Sequence, residues 1–213
     1  VTAMNTIPDM IHYFDYKSPY AYLAQAELFE LAGRGDLRIE WRPLTLDIPK
    51  YLGSAELDEN GEVITASRNE HQWRRVKYSY MDCRREANRR GLTLRGPRKI
   101  FDSELAHIGF LFAAARGDFR PYHDTVFERF WRRELDIEDI NVIEATLGEA
   151  GIDTRGFRDY AATTGRTALD AVQRSAESDG VFGVPSYVVD GELFWGAERL
   201  DRALEKAGVL ARG

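Results

Sequence analysis

The chain has 213 residues, of which 44% are hydrophobic and 30% charged, the balance of an ordinary globular protein able to bury a core. Its formal charge of −6 argues against a general nucleic-acid binder, which would be basic. A single cysteine, Cys83, excludes an internal disulfide, a CxxC redox pair and a cysteine-built zinc site, and points to a reducing compartment.

Taken in chain order, MIHYFDY (10–16) alternates loosely and is rich in aromatic types, which predicts a strand. Ser18 then caps a helix with Pro19 in its first turn, running to residue 33 with apolar positions at Tyr22, Leu23, Ala26, Phe29 and Leu31. LRIEWRPLTL (37–46) places Leu37, Ile39 and Trp41 on one face of a second strand, and a β-α-β opening favours a parallel pair. Residues 47–68 carry Pro49, Gly53 and DENGE with little periodicity and read as a long surface loop. From Asn69 to about Gly180 the pattern is helical, punctuated by Gly and Asp. Within it, the basic runs RRVK and RREANRR read as solvated helix faces. VFGVPSYVVDGELFWGAERL then gives a strand at Tyr187–Val189, an Asp190-Gly191 hairpin signal, a strand at Glu192–Trp195 and a last helix.

The order βαβ, helical block, ββα predicts an α/β sheet domain, 1–48 with 181–213, carrying a helical insertion at 49–180. No basic, apolar, small-residue order marks a signal peptide, and the longest apolar run, IGFLFAAA, is too short to span a bilayer. A cytoplasmic protein with no membrane or nucleic-acid partner is therefore expected. His12, His71, His107 and His123 fall on separate segments without HxxxH or HxH spacing, so no metal site is expected.

Three motifs in this order carry a resemblance: FDYKSP at the first turn, GVP before the third strand, and GAERL opening the last helix. Together they resemble the thioredoxin superfamily with a helical insertion. Within it, the chain is similar to the DsbA-like branch that contains 2-hydroxychromene-2-carboxylate isomerases and kappa-class glutathione transferases. Redox members of that family hold C-P-x-C where this chain has Ser18, Pro19, Tyr20 and Ala21. Dithiol exchange needs one sulfur to attack and one to resolve, so disulfide oxidoreductase activity is disfavoured.

The resemblance implies glutathione, or another low-molecular-weight thiol, as cofactor. Ser18 is a sound helix cap in its own right, and the two roles are compatible. A helix N-terminus stabilises an anion, and a hydroxyl there donates a hydrogen bond to a bound thiol and lowers its pKa. Pro185 matches the family's cis-proline, and the Val184 backbone beside it pairs with the thiol peptide as an added strand. Ala197 and Glu198 stand where the family has a small polar residue and Asp at the γ-glutamyl end, a departure on both counts. Arg75 falls at a family Lys, with Lys77 as its fallback and Tyr78 at a family Tyr, while Ser54 is the nearest match to a family Asn. Asp15 and Tyr16 flank the site. Trp73, Tyr78, Tyr80, Phe110 and Phe112 of the insertion suit a flat aromatic substrate. The implied activity is isomerisation of a conjugated aromatic carbonyl acid by reversible thiol addition, in a homodimer. A kappa-like transferase and a DsbA-like binding protein without turnover are the alternatives.

Overall fold

The structure is a computed structural model and describes residues 8–209; the outermost ends of the predicted sheet portion, 1–7 and 210–213, lie outside the described residues. Strand β1 (Met10–Phe14) leads into helix α1 (Pro19–Arg34) and strand β2 (Ile39–Pro43), which lies parallel to β1. At the other end of the chain, β5 (Ser186–Val189) and β6 (Glu192–Trp195) form an antiparallel hairpin. Its turn uses Asp190 (φ 48°) and Gly191 (φ 77°), the pair of left-handed residues that a two-residue hairpin requires. β5 pairs antiparallel with β1, so the mixed sheet has the order β2-β1-β5-β6. β1 and β5 are therefore central, and β5 is buried at all four positions.

The predicted loop at 47–68 is instead ordered. It contains a short helix α2 (Ile48–Leu52), capped by Asp47, and a hairpin of β3 (Ala55–Leu57) and β4 (Val63–Ala66). The turn closes because the Asp58 carboxylate accepts the Asn60 and Glu62 N–H groups at 2.8 and 2.9 Å while Gly61 takes φ 87°. Strands of three and four residues are too short for alternation to announce them.

The helical block comprises α3 (Glu70–Arg89), α4 (Glu104–Ala114), α5 (Arg120–Arg132), α6 (Ile140–Glu149), α7 (Phe157–Ala162) and α8 (Thr164–Ser178). It is broken between α3 and α4, where residues 90–103 form no helix. Gly91 at φ 69° ends α3, and Pro97 lacks the N–H that a helix would need. After β6, a 3₁₀ turn (Ala197–Arg199) leads into α9 (Leu200–Lys206), which packs on β5 and β6, while α8 packs on β2 and α4.

One continuous core joins sheet and helices. Phe14, at the end of β1, lies 4.6 Å from His123 of α5 and 5.0 Å from Phe110 of α4, ring centre to ring centre. Trp41 of β2 stacks on Phe29 of α1 at 4.3 Å. Burying each such aromatic contributes about 1.5–3 kcal/mol, which fixes the end of β1, and with it the turn that follows, against α4 and α5. Among the described residues no helix is long and apolar enough to cross a membrane.

Candidate active site

The turn after β1 is organised by Asp15, which is fully buried. Its carboxylate accepts the Lys17 N–H at 3.0 Å and the Leu46 N–H at 2.9 Å, and its carbonyl accepts the Ser18 N–H at 2.9 Å. The Lys17 ammonium, its side chain only 7% exposed, sits 3.6 Å from the carboxylate and donates to the Leu46 carbonyl at 2.8 Å. His107 of α4 brings Nε2 to 3.4 Å from the same carboxylate, and its Nδ1 lies 2.8 Å from the Thr45 hydroxyl. Burial works to raise the Asp15 pKa, but His107, Lys17 and the Leu46 N–H outweigh it and hold the carboxyl at about 2. Asp15 is thus an ionised anchor stitching the β1 turn to the segment after β2.

Ser18 follows with extended backbone (φ −91°, ψ 114°) and accepts the Ala21 N–H at 3.2 Å, the geometry of an N-cap. Its hydroxyl hydrogen points to the Val184 carbonyl at 3.4 Å. The Val184–Pro185 peptide bond is cis. The structure therefore brings Ser18, Val184 and Pro185 together from opposite ends of the sequence, across the central strands.

Ser18 opens on a cavity of about 410 Å³ between this turn and the helical block. Trp73, Val76, Lys77, Tyr80 and Arg84 of α3 line it, positions that share one helix face. Leu46, Ile48, Leu52, Leu57, Ile100 and Phe101 complete an apolar wall. Among the described residues, seven cations and no carboxylate line the cavity: Lys17, Arg68, Lys77, Arg84, Arg98, Lys99 and Arg133. An anionic, partly aromatic ligand fits that chemistry.

The other predicted residues separate. Lys77 reaches the cavity; Arg75, two residues from both Trp73 and Lys77, lies on the opposite face of α3 and is exposed. Tyr78 is 58% exposed and does not line the cavity. Ala197 and Glu198 occupy the 3₁₀ turn, which packs against α1, and neither lines the cavity; the Glu198 carboxylate folds back over Gly196. Ser54 is bonded to Ser67 in support of the β3–β4 hairpin. Of the aromatic set, Trp73 and Tyr80 line the cavity, whereas Phe110 and Phe112 are buried in the core. Tyr16 is buried too, its hydroxyl 3.1 Å from His123 Nδ1. Cys83 is a packing residue: burial pushes its thiol up to about 12, so it stays protonated. Tyr20, in the third position of the turn motif, donates to Asp82 at 3.1 Å.

Sequence reading missed Lys17 and the arginines of the cavity. The RRVK and RREANRR runs were legible only as a charged face, and most of that expectation holds: Arg74, Arg85 and Arg89 pair with Glu70, Asp82 and Glu86 on the outside of α3. The exceptions are Lys77 and Arg84, which line the cavity, and Arg90, which donates to the Leu23 carbonyl. The spacing of Arg84, four from Tyr80 and seven from Lys77, was the available signal.

A parallel β1-β2 pair, an antiparallel β5-β6 hairpin, a cis-proline beside a helix N-terminus and a helical block inserted between them define a thioredoxin fold. Residues 10–207 match the model of the DSBA-like thioredoxin domain, and the chain belongs to that family. It is similar to the 2-hydroxychromene-2-carboxylate isomerase of Sphingobium xenophagum, 27% identical over 190 residues that cover 89% of this chain and 92% of that protein. It is also similar to the 2-hydroxychromene-2-carboxylate isomerase of Pseudomonas putida, 28% identical over 204 residues, covering 94% of each. The solved structure of a 2-hydroxychromene-2-carboxylate isomerase shares the fold with a TM-score of 0.71 at 23% identity, over 93% of this chain and 94% of that one.

Proposed function

We propose that the protein is a glutathione-dependent isomerase of a conjugated aromatic carbonyl acid. The observation that carries this reading is the placement of the Ser18 hydroxyl, at the N-terminus of the 16-residue α1, on a cavity lined by both apolar and cationic side chains. The first N–H groups of α1 and the Ser18 hydroxyl stabilise a thiolate supplied by the bound thiol, so the nucleophile belongs to the cofactor and the chain provides electrostatics. The Val184 backbone holds the thiol peptide, and Lys77 holds its glycyl carboxylate.

The thiolate adds to the substrate's conjugated carbon–carbon double bond. A C–S bond forms and the π electrons pass to the carbonyl oxygen as an enolate. The former double bond now rotates as a single bond. Collapse of the enolate restores the double bond and expels the thiolate, with no net redox change. The names of the two curated relatives support an isomerase, and each aligns with this chain over about nine-tenths of both lengths.

The test is the ultraviolet thiolate difference spectrum of glutathione with the protein as a function of pH, for the native chain and Ser18→Ala, followed by an assay with 2-hydroxychromene-2-carboxylate. A bound-thiol pKa depressed in the native chain and restored in the variant, with thiol-dependent turnover, is the expected result. A stable thioether product would make the protein a transferase, and no thiolate signal would leave Ser18 a helix cap.

A further inference from the structure

Two of the seven cations of the cavity have carboxylate partners: Lys17 lies beside Asp15, and Lys99 is bonded to Glu138. Among the described residues no carboxylate lies within 4.0 Å of Arg68, Lys77, Arg84, Arg98 or Arg133. Arg34, Arg38, Arg74, Arg120 and Arg155 are each paired with a neighbouring acid; arginines elsewhere, Arg75 and Arg95 among them, also have no such partner among the described residues, so what sets these five cations apart is that they gather on one cavity. Cations gathered without counter-charge repel one another, and the chain carries an acidic excess overall with which to pair them.

Three of the four guanidiniums, those of Arg68, Arg84 and Arg133, are also held in place. Arg133 Nε donates to the Gly96 carbonyl at 2.8 Å, and Arg68 Nε donates to the Leu52 carbonyl at 3.0 Å. Arg68 lies over the Trp73 ring at 5.1 Å and Arg84 over the Tyr80 ring at 5.9 Å. Each anchored side chain keeps its two terminal NH₂ groups for a ligand. Burial, with the charges of Arg98, Arg95 and Arg84, lowers the Arg133 pKa, the direction produced by neighbouring like charge. None of the four comes from the turn that carries Ser18.

One carboxylate presents about four acceptor positions, which one or two bidentate arginines fill. Four guanidiniums exceed that requirement. We infer that Arg68, Arg84, Arg98 and Arg133 form an anion subsite for the electrophile, and that the preferred substrate carries a second anionic group, as an aromatic dicarboxylate does. This rests on the proposed function for what happens at Ser18, but not for the binding itself. The same chemistry has a second possible source, a carboxylate of the thiol peptide, and the experiment separates the two.

Isothermal titration at low salt, without thiol, compares benzoate with phthalate, isophthalate and terephthalate. The proteins are the native chain, Arg98→Gln, the double variant Arg84→Gln/Arg133→Gln, and the control Arg74→Gln/Arg89→Gln on the outer face of α3. At least one dicarboxylate is expected to bind the native chain and the control about tenfold or more tightly than benzoate. That advantage shrinks in Arg98→Gln and vanishes in the double variant, while the thiolate signal of glutathione is unchanged. Arg98 has an exposed side chain, so its single variant decides the matter even where loss of the Arg133–Gly96 bond unfolds the double variant. Dicarboxylates no tighter than benzoate on the native chain, or an advantage that survives in Arg98→Gln, overturn the inference. So does a joint loss of dicarboxylate preference and glutathione thiolate in Arg98→Gln, which assigns the arginines to the thiol peptide. A preference that depends on Arg98 in a protein giving no thiolate signal upholds the subsite and sinks the proposed function instead.

Discussion

The Ser18 hydroxyl lies 3.4 Å from the Val184 carbonyl, so the cap of the first helix and the residue before the cis-proline share one hydrogen bond across 166 positions of sequence. Ser18 also accepts the Ala21 N–H, and the two contacts have different consequences when it is replaced.

Ser18→Ala removes the cap and is expected to cost about 1 kcal/mol, which in a chain of this size lowers the thermal midpoint by roughly 2–4 °C. Ser18→Asn retains a capping acceptor and is expected to recover most of that loss. Under the proposed function, glutathione-dependent turnover falls by about two orders of magnitude in the Ala variant, the typical worth of one such hydrogen-bond donor. Differential scanning calorimetry beside the turnover assay checks this; activity falling only in step with stability would reduce Ser18 to its capping role.

Asp15 ties Lys17, Leu46 and His107 into one buried group, and its replacement strands the Lys17 ammonium. Asp15→Asn is expected to destabilise the chain by about 2–4 kcal/mol, because a nearly buried cation is left without its counter-charge. The sign with pH follows from the depressed folded pKa. The carboxylate's contribution is fully present above the ordinary carboxyl range near 4 and is lost as pH falls toward 2. Urea midpoints at pH 7 should therefore separate native and variant proteins widely, and midpoints at acid pH should converge. Equal midpoints at pH 7 would contradict the anchoring role.

The turn containing these residues was legible from FDYKSP, because a strand followed by Ser-Pro and an amphipathic run is a local pattern. The β5–β6 hairpin was legible for the same reason, through Asp190-Gly191. What sequence could not supply was the partner of each local signal. Asp15 has no mark of its bond to Leu46, which lies beyond an intervening helix, and Lys17 reads as a solvated lysine until the fold closes over it. Arg84 and Arg85 are indistinguishable in a charge run; one helical step of 100° sends the first to the cavity and the second to Asp82. The β3–β4 hairpin escaped because its strands are shorter than one period of reliable alternation.

Cys83 provides a direct check on the packing between α1 and α3. Its side chain has no exposed surface, and burial raises its thiol to about 12. At pH 8 the native protein is expected to react with a disulfide reagent such as dithionitrobenzoate at a rate limited by opening of the fold, whereas the urea-unfolded chain reacts within the mixing time. Rapid reaction of the native chain would mean that α3 does not seal this side of the core.

Three histidines, His12, His107 and His123, are fully buried, and the Nε2 of His12 and of His123 has no hydrogen-bond partner among the described residues. Burial lowers the His12 pKa to about 3, outweighing the Ser186 carbonyl that lies 3.3 Å from its Nδ1. Burial, with the neighbouring His12 and His107, holds His123 well below the ordinary value. In the unfolded chain both titrate near 6.5, so from that pH downward the unfolded state binds more protons than the folded one, and stability falls with acidification. The slope is up to about 1.4 kcal/mol per pH unit for each histidine, or about 2 kcal/mol each by pH 5. Urea midpoints are thus expected to drop steeply between pH 7 and pH 5, well before the carboxylates titrate. His12→Phe, which keeps a ring against Trp41 and Tyr187, should remove about half of that slope while remaining folded at pH 8 by circular dichroism. A midpoint that stays level from pH 7 to pH 5 in the native chain would show that the histidines gain their protons without opening the core.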